Sequence, residues 1–283
     1  MEENKIISYK GFDENMQCRG FQYEVGKEYE MDGDIKCCER GFHACESPLE
    51  VWDHYDMLAS RFAKVEQSGK IDKEENSTKV CSSKIKISAE LKLADIIKLG
   101  VEWIKDVTSP SKVKATGELN DNGGDSAQIG SSGYSAQIGS SGDSAQIGSS
   151  GYSAKIGSSG YSAKIGSSGD SAKIGSSGYS AQIGSSGYSA QIGSSGDSAK
   201  IGSSGYSAKI DSTGEDSVIM CAGNKSKAKA KVGSWITLAE WKWSDEKKRD
   251  VPVCVKTEYV DGENIKADTW YQLKNRKFVE VTE

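Results

Sequence analysis

Between Gly124 and Ile210 the chain sets an isoleucine at every ninth position and an alanine two residues before each one. Residues two apart share a face of an extended segment, so Ala127 and Ile129 point one way while Ser126 and Gln128 point the other. The pattern predicts a short strand, Ser126 to Ile129, with a thin apolar side. Gly130-Ser-Ser-Gly133 then reads as a tight corner whose glycines tolerate positive φ. Ten such units follow one another. No unit of this size buries its own apolar face, so neighbours must stack. The expected fold is mainly β, with a central β-solenoid (a β-roll) of about two nonapeptide units, roughly 18 residues, per coil. A bundle of polyproline II helices and a Gly/Ser linker are the competing readings. An isoleucine held in phase argues against a linker, which has no use for a buried position.

Two positions of the unit vary. One holds Asp125, Tyr134, Asp143, Tyr152, Tyr161, Asp170, Tyr179, Tyr188, Asp197 and Tyr206; the other alternates Gln and Lys. A coil of two units separates these into a column Asp125, Asp143, Tyr161, Tyr179, Asp197 and a column Tyr134, Tyr152, Asp170, Tyr188, Tyr206. That arrangement dilutes carboxylate repulsion and allows tyrosine stacking. With Ala and Ile in the core, the Tyr, Gln, Lys and Ser side chains are expected to face solvent in rows. Tyr152, Tyr161, Tyr179 and Tyr188, with Lys155, Lys164 and Lys173, are the candidate partner-binding surface, because tyrosine offers large contact area at low entropic cost.

The flanks carry different patterns. Residues 1–110 read as a small α+β domain. Its expected strands are Lys5 to Tyr9, Phe21 to Val25, Glu28 to Met31, Asp34 to Cys38, Gly41 to Cys45, Arg61 to Val65 and Lys79 to Ile87. Ser47-Pro-Leu-Glu50 predicts a capped helix carrying Val51, Trp52 and Tyr55. Ser88 is expected to cap a second helix with its stripe at Leu91, Ala94, Ile97, Val101 and Ile104. Residues 111–232 are assigned to the solenoid and its degenerate ends, and residues 233–283 to a small β cap domain. Lys225, Lys227, Lys229 and Lys231 form a basic strip that would protect an edge strand, with phosphate binding as the less favoured role. Trp235, Trp241, Trp243 and Trp270 are expected to cover the open end of the rod.

Charge narrows the partners. The formal net charge is −5. The repeat carries four Asp against five Lys, and the chain from Asp211 onward balances thirteen acids with thirteen bases, so the acidity lies in residues 1–123. A near-neutral rod is a poor track for nucleic acid and a poor mimic of it. No stretch has the length and apolarity of a membrane span, no opening run resembles a signal peptide, and seven cysteines fit reduced thiols, so a soluble, cytoplasmic protein is expected.

Tyr9-Lys-Gly-Phe12, Cys18-Arg-Gly-Phe-Gln-Tyr23, Gly41-Phe-His-Ala-Cys45 with Pro48-Leu49, Gly233-Ser-Trp235, Leu238-Ala-Glu-Trp241 and Ala267-Asp-Thr-Trp-Tyr271 resemble a family of uncharacterised phage and prophage proteins. Members of that family carry Ser/Gly/Tyr-rich repeats between two such flanks. The resemblance implies a phage origin and transfers no activity.

Little in the chain suggests catalysis. There are two histidines, His43 and His54, and the repeat glycines do not lead into a phosphate-cradling helix. Cys38, His43 and Cys45, with Cys37 or Cys18, are the weak candidates for a metal, without a paired Cys-x-x-Cys to support them. No cofactor is expected. The sequence therefore points to a non-enzymatic interaction protein that presents a repeat surface to a host protein or complex, and that inhibits a host defence system such as CRISPR; a homo-oligomer is left open. A virion or tail accessory protein with a spacer or glycan-binding rod is the structural alternative. A small enzyme in the N-terminal domain, acting on a nucleotide or protein, is the catalytic one.

Overall fold

The computed structural model describes residues 5–74, 77–107, 119–121 and 124–282. The chain divides into two compact units, Met1–Trp103 and Ile104–Glu283. The boundary expected between residues 110 and 111 lies outside the described residues.

In the second unit each repeat forms one four-residue strand, from Gln128–Ser131 to Lys209–Ser212. Pairing is parallel and joins every strand to the one two units on: Ile138 lies beside Ile156 and Ile156 beside Ile174, an offset of 18 residues that fixes two units per coil. Odd and even units fall into two sheets, whose isoleucines meet in one continuous apolar core. The mainly β, solenoid-centred architecture is the expected one.

The details of the unit differ from expectation. The strand is Gln-Ile-Gly-Ser, two residues later than predicted, because Ser126 and its nine equivalents up to Ser207 take left-handed backbone with φ of 54 to 58° and interrupt the extended run. This conformation costs a non-glycine residue about 1 to 2 kcal/mol. A hydrogen bond offsets it: the Ser135 N–H donates to the Tyr152 carbonyl of the next coil at 2.8 Å, and the Ser162 N–H to the Tyr179 carbonyl at 2.9 Å. The corner glycines thus serve spacing and not positive φ. A Cβ on Gly178 would stand 1.9 Å from the carbonyl oxygen of Gly160, so only glycine lets consecutive corners stack. The last serine of each strand points inward, and Ser140, Ser158, Ser176 and Ser194 are buried where solvent exposure was expected.

The solenoid's two sheets continue into the C-terminal segment. Trp235–Ser244 adds in parallel to Val218–Cys221 and turns back through Arg249–Tyr259, while Tyr271–Lys274 adds antiparallel to Lys227–Ala230 and pairs with Lys277–Glu280. Ile236, Leu238, Val260, Ile265, Tyr271 and Leu273 extend the isoleucine core. Of the four tryptophans expected to cover the end, Trp270 is buried, whereas Trp235 and Trp243 are exposed and the Trp241 indole N–H reaches sideways to the Ala222 carbonyl at 3.0 Å. Mostly aliphatic residues extend the column of inward positions, and the one hydroxyl among them, that of Tyr271, accepts the Lys266 N–H at 2.9 Å.

The first unit is built on Ile6–Phe12, Phe42–Cys45, Arg61–Lys73 and Lys79–Leu91, with Glu28–Glu30 on one edge. Ile6–Phe12 pairs with both Phe42–Cys45 and Arg61–Lys73, and each of these pairs with Lys79–Leu91, so the four strands close into a ring. Phe12, Tyr23, Phe42, Val65, Ile85 and Ile87 fill a core of this unit. The predicted strand Asp34 to Cys38 is instead a turn closed by a single bridge between Lys36 and Arg40. The first predicted helix shrinks to one 3-10 turn, Glu50–Asp53, without a side-chain cap. Its Glu50 carboxylate accepts from the Ser77 hydroxyl at 2.6 Å and the Thr78 hydroxyl at 2.7 Å, a long-range role that removes it from the capping box. Ser88 stays in the Lys79–Leu91 strand; the helix is Leu93–Val107, where the Asp95 carboxylate accepts the Lys92 N–H at 2.9 Å.

Candidate functional site

The two outer faces of the solenoid are unlike. On the sheet of even units the outward positions are covered: Lys155 is 2 % exposed, and Gly139, Gly157, Gly175 and Gly193 are buried. On the sheet of odd units the equivalent Gln128, Gln146, Lys164, Gln182 and Lys200 are exposed, as are Gly130, Gly148, Gly166 and Gly184. A Cβ added to Gly148 or Gly184 would meet nothing within 4 Å, and one on Gly166 would lie 4.0 Å from the Ile147 carbonyl. Neither sterics nor φ demands glycine there. The row leaves a shallow furrow between the Gln/Lys ridge and the corner, continued by Val218 and Met220 and by the exposed Trp235 of the C-terminal hairpin.

The varying tyrosines stand at the corners. Tyr134 stacks on Tyr152 with centroids 5.1 Å apart, Tyr161 on Tyr179 at 5.4 Å and Tyr188 on Tyr206 at 4.9 Å, all within 15° of parallel. These are the column neighbours expected from two units per coil. Between the pairs sit aspartates with a backbone duty: the Asp143 carboxylate accepts the Tyr161 N–H at 2.8 Å and the Asp170 carboxylate the Tyr188 N–H at 2.7 Å. A three-unit Asp-Tyr-Tyr period read by a two-unit coil puts tyrosines in adjacent pairs on both columns.

The candidate surface residues do not converge. Tyr161 and Tyr179 precede strands of the odd sheet, whereas Tyr152 and Tyr188 precede strands of the even sheet, so they occupy the two opposite edges where the chain crosses between sheets. Lys164 is exposed, Lys173 half-buried and Lys155 buried, a correction to the expectation that all three face solvent; the cause is that even-unit outward positions are covered. The glycine row was missed because glycine in a repeat reads as a corner. The basic strip also changes meaning. Lys227–Ala230 is not an edge, being flanked on both sides, and its lysines lie on aromatic rings: Lys227 and Lys229 are 5.2 and 5.0 Å from the Trp270 centroid, and Lys225 is 5.3 Å from that of Tyr206. Lys229 also pairs with Asp211 at 3.0 Å and Lys231 with Asp268 at 2.6 Å, so the strip's charge is largely spent within the chain.

In the first unit the weak metal candidates separate. Among the described residues, the ligand atoms brought within 4.8 Å of one another belong to Cys37, His43 and Cys81: of the named candidates His43 and Cys37 come together, Cys38 and Cys45 stand outside, and Cys81 is added. His43 is already engaged: Nε2 accepts the Cys38 N–H at 2.9 Å, and the ring also bonds to the Gly41 backbone. Burial pushes the thiols of Cys45 and Cys81 up to about 12, which keeps them neutral, and burial lowers both His43 and His54. Beside this group opens a cavity of about 1070 Å³ lined by Lys10, Cys18, Arg19, Tyr23, His43 and Tyr55 among others.

Among the described residues no helix is long and apolar enough to cross a membrane. Residues 6–99 match a domain of unknown function, DUF7666, a stretch that contains the motifs Tyr9 to Phe12, Cys18 to Tyr23 and Gly41 to Cys45. No curated protein and no solved structure matches the chain.

Proposed function

We propose that the protein is a non-enzymatic recognition protein whose solenoid offers its open, odd-unit face to a host protein or protein complex in the cytoplasm. The observation that carries this reading is the contrast between the two faces: one sequence repeat builds both, yet only one stays exposed, as a flat strip with a glycine furrow that no internal contact requires. Flatness suits a macromolecular partner better than a small ligand, since pockets for the latter are concave. Lys164 and Lys200 stand on the exposed ridge without an acidic residue in the furrow, which favours a partner with carboxylates about 10 Å apart, two strand spacings. The resemblance of the flanks to phage and prophage proteins supports a role during infection, as an inhibitor of a host defence complex, including CRISPR.

The test is a plating assay in bacteria that carry an active defence system, comparing the native chain with a Gly148→Gln, Gly166→Gln, Gly184→Gln variant. The added side chains project into open space, so melting should be unchanged. The native chain should raise phage plating and the variant should lose most of that rise. Equal protection by both, or none by the native chain against a panel of defences, overturns the reading.

A further inference from the structure

The cavity of the first unit holds an ammonium group without a counter-anion among the described residues. Lys10 lies on Ile6–Phe12 with 3 % of its surface exposed. Its Nζ donates to the His43 carbonyl at 3.0 Å, the Tyr55 hydroxyl at 3.5 Å and the Cys18 sulfur at 3.5 Å, and it lies 5.6 Å from the ring centroids of Phe12 and Tyr23. These contacts are neutral. A buried charge that lacks an ionic partner is costly, and an apolar residue of the same length would fill the site without that cost.

The surroundings are built around this group. A Cβ on Gly11 would stand 2.3 Å from the Tyr55 ring, so glycine next to Lys10 is what lets the ring lie on the strand, and the Tyr55 hydroxyl is then held 3.1 Å from the Cys18 sulfur. Arg19, which also lines the cavity, is exposed and adopts a φ of 52°. The lining carboxylates are engaged elsewhere. Asp13 accepts the Asn15 and Gln17 N–H groups, Asp56 those of Leu58 and Ala59, Glu30 pairs with Lys84 and Glu39 with Lys36, and Asp53 is placed to act on His54. One wall is aromatic: Phe21, 46 % exposed, meets Tyr23 at 4.8 Å and Tyr29 at 5.3 Å between centroids. An exposed ring held by two others is a ready face for a flat group.

We propose that this cavity is a binding site for a nucleoside monophosphate, with the phosphate taken by Lys10 and Arg19 and the base laid against Phe21. A buried ammonium with neutral contacts beside an exposed guanidinium calls for an anion, the aromatic wall calls for a planar ring, and the volume accommodates both. Desolvation lowers the Lys10 ammonium from its ordinary range, and an incoming phosphate would hold it charged.

Calorimetric titration of the full chain with AMP, GMP, CMP and UMP, and with adenosine and inorganic phosphate as controls, tests the site. At least one nucleotide should bind with Kd at or below about 1 mM. Lys10→Met and Arg19→Ala should each weaken it at least roughly tenfold, about 1.4 kcal/mol, and Phe21→Ala should weaken the nucleotide while leaving phosphate unaffected. Arg19 and Phe21 are exposed, so their variants report on binding even if Lys10→Met were to disturb the fold. Absence of nucleotide binding overturns the proposal, as does native affinity in both Lys10→Met and Arg19→Ala. Phosphate binding as tightly as the nucleotide overturns the base contact.

Discussion

The two units of this chain solve the same problem of burial in opposite ways. In Ile104–Glu283 the environment of one residue recurs every 18 residues, so Ile156 has Ile138 on one side and Ile174 on the other. Buried polar groups there recur in columns of like residues, such as Ser140, Ser158, Ser176 and Ser194. In Met1–Trp103 nothing recurs, and its interior holds single arrangements: Gln67, fully buried, accepts from the Ser8 hydroxyl at 2.7 Å and donates to the Phe42 carbonyl at 2.7 Å and the Ser82 hydroxyl at 3.1 Å. A repeat spreads any defect over neighbours that share it, whereas the first unit places each polar group once and has no substitute for it. The periodic unit therefore offers a surface, and the aperiodic one a cavity with particular chemistry.

The largest expected effects come from substitutions that strike the period itself. Gly178→Val puts side-chain atoms where the Gly160 carbonyl oxygen lies 1.9 Å from the new Cβ, and should cost about 3 kcal/mol or more. Gly184→Val, six residues on in the same unit but on the open face, meets nothing within 4 Å and should leave thermal melting within about 0.5 kcal/mol of native. Equal losses for the two would mean that glycine serves backbone freedom at both positions and that the furrow is a by-product. Ile165→Asp with Ile174→Asp should cost several kcal/mol by leaving unpaired carboxylates in the isoleucine core, measured by denaturant unfolding; loss confined to one or two coils would show that the rod is less cooperative than one continuous core implies.

An intermediate effect should separate stability from function in the first unit. Replacing a buried ionic group by an apolar residue of similar volume is often neutral or stabilising by about 1 to 4 kcal/mol. Lys10→Met should accordingly raise or preserve the melting temperature of Met1–Trp103 while removing nucleotide binding. A loss of more than about 2 kcal/mol would assign Lys10 to the scaffold through its bond to the His43 carbonyl.

Acid should also divide the units. Both histidines belong to the first, and burial lowers both. A base with a lowered folded-state value binds more protons when unfolded, so stability is intact above about pH 6.5 and falls as pH drops through the unfolded value toward the folded one. The first unit's transition should move down as pH falls below roughly 6.5, whereas the solenoid, which has no histidine, should hold. Hydrogen exchange resolves the two transitions, and a parallel decline in both would point to carboxylates in place of the imidazoles.

What the sequence disclosed follows the same division. The solenoid, its coil length and its tyrosine columns are visible because a strict period converts directly into contacts between residues 18 apart. The strand register was misplaced by two residues, since left-handed serine has no compositional signal. The covered and open faces were invisible for a related reason: identical units carry no mark of what lies outside them. In the first unit, alternation revealed most strands, but not that they close into a ring, which depends on the Lys79–Leu91 strand pairing on both its sides. Glu50 reads as the closing residue of a capping box and Lys10 has no chemical signal, because their partners, Thr78 and His43, are distant in sequence. Long-range roles of single polar residues leave no local pattern to read.

The smallest effect sharpens the contrast between edge and face. Tyr161 and Tyr179 are half exposed, and their stacking is worth about 0.5 to 1.5 kcal/mol beyond the area they bury. Tyr161→Ser with Tyr179→Ser should lower stability by about 1 kcal/mol and no more, because the Asp143 carboxylate still accepts the N–H of residue 161. The two rings lie at the edge bordering the open sheet's strands, while Tyr152 and Tyr188 precede the covered sheet's strands on the other edge. If the open face carries recognition, with one edge at its margin, the 161/179 double variant should reduce phage plating modestly and a Tyr152→Ser, Tyr188→Ser variant should respond differently from it. Matching, severe losses from both would shift recognition from the glycine furrow to the tyrosine columns, since that result requires a partner reaching around both edges of the rod.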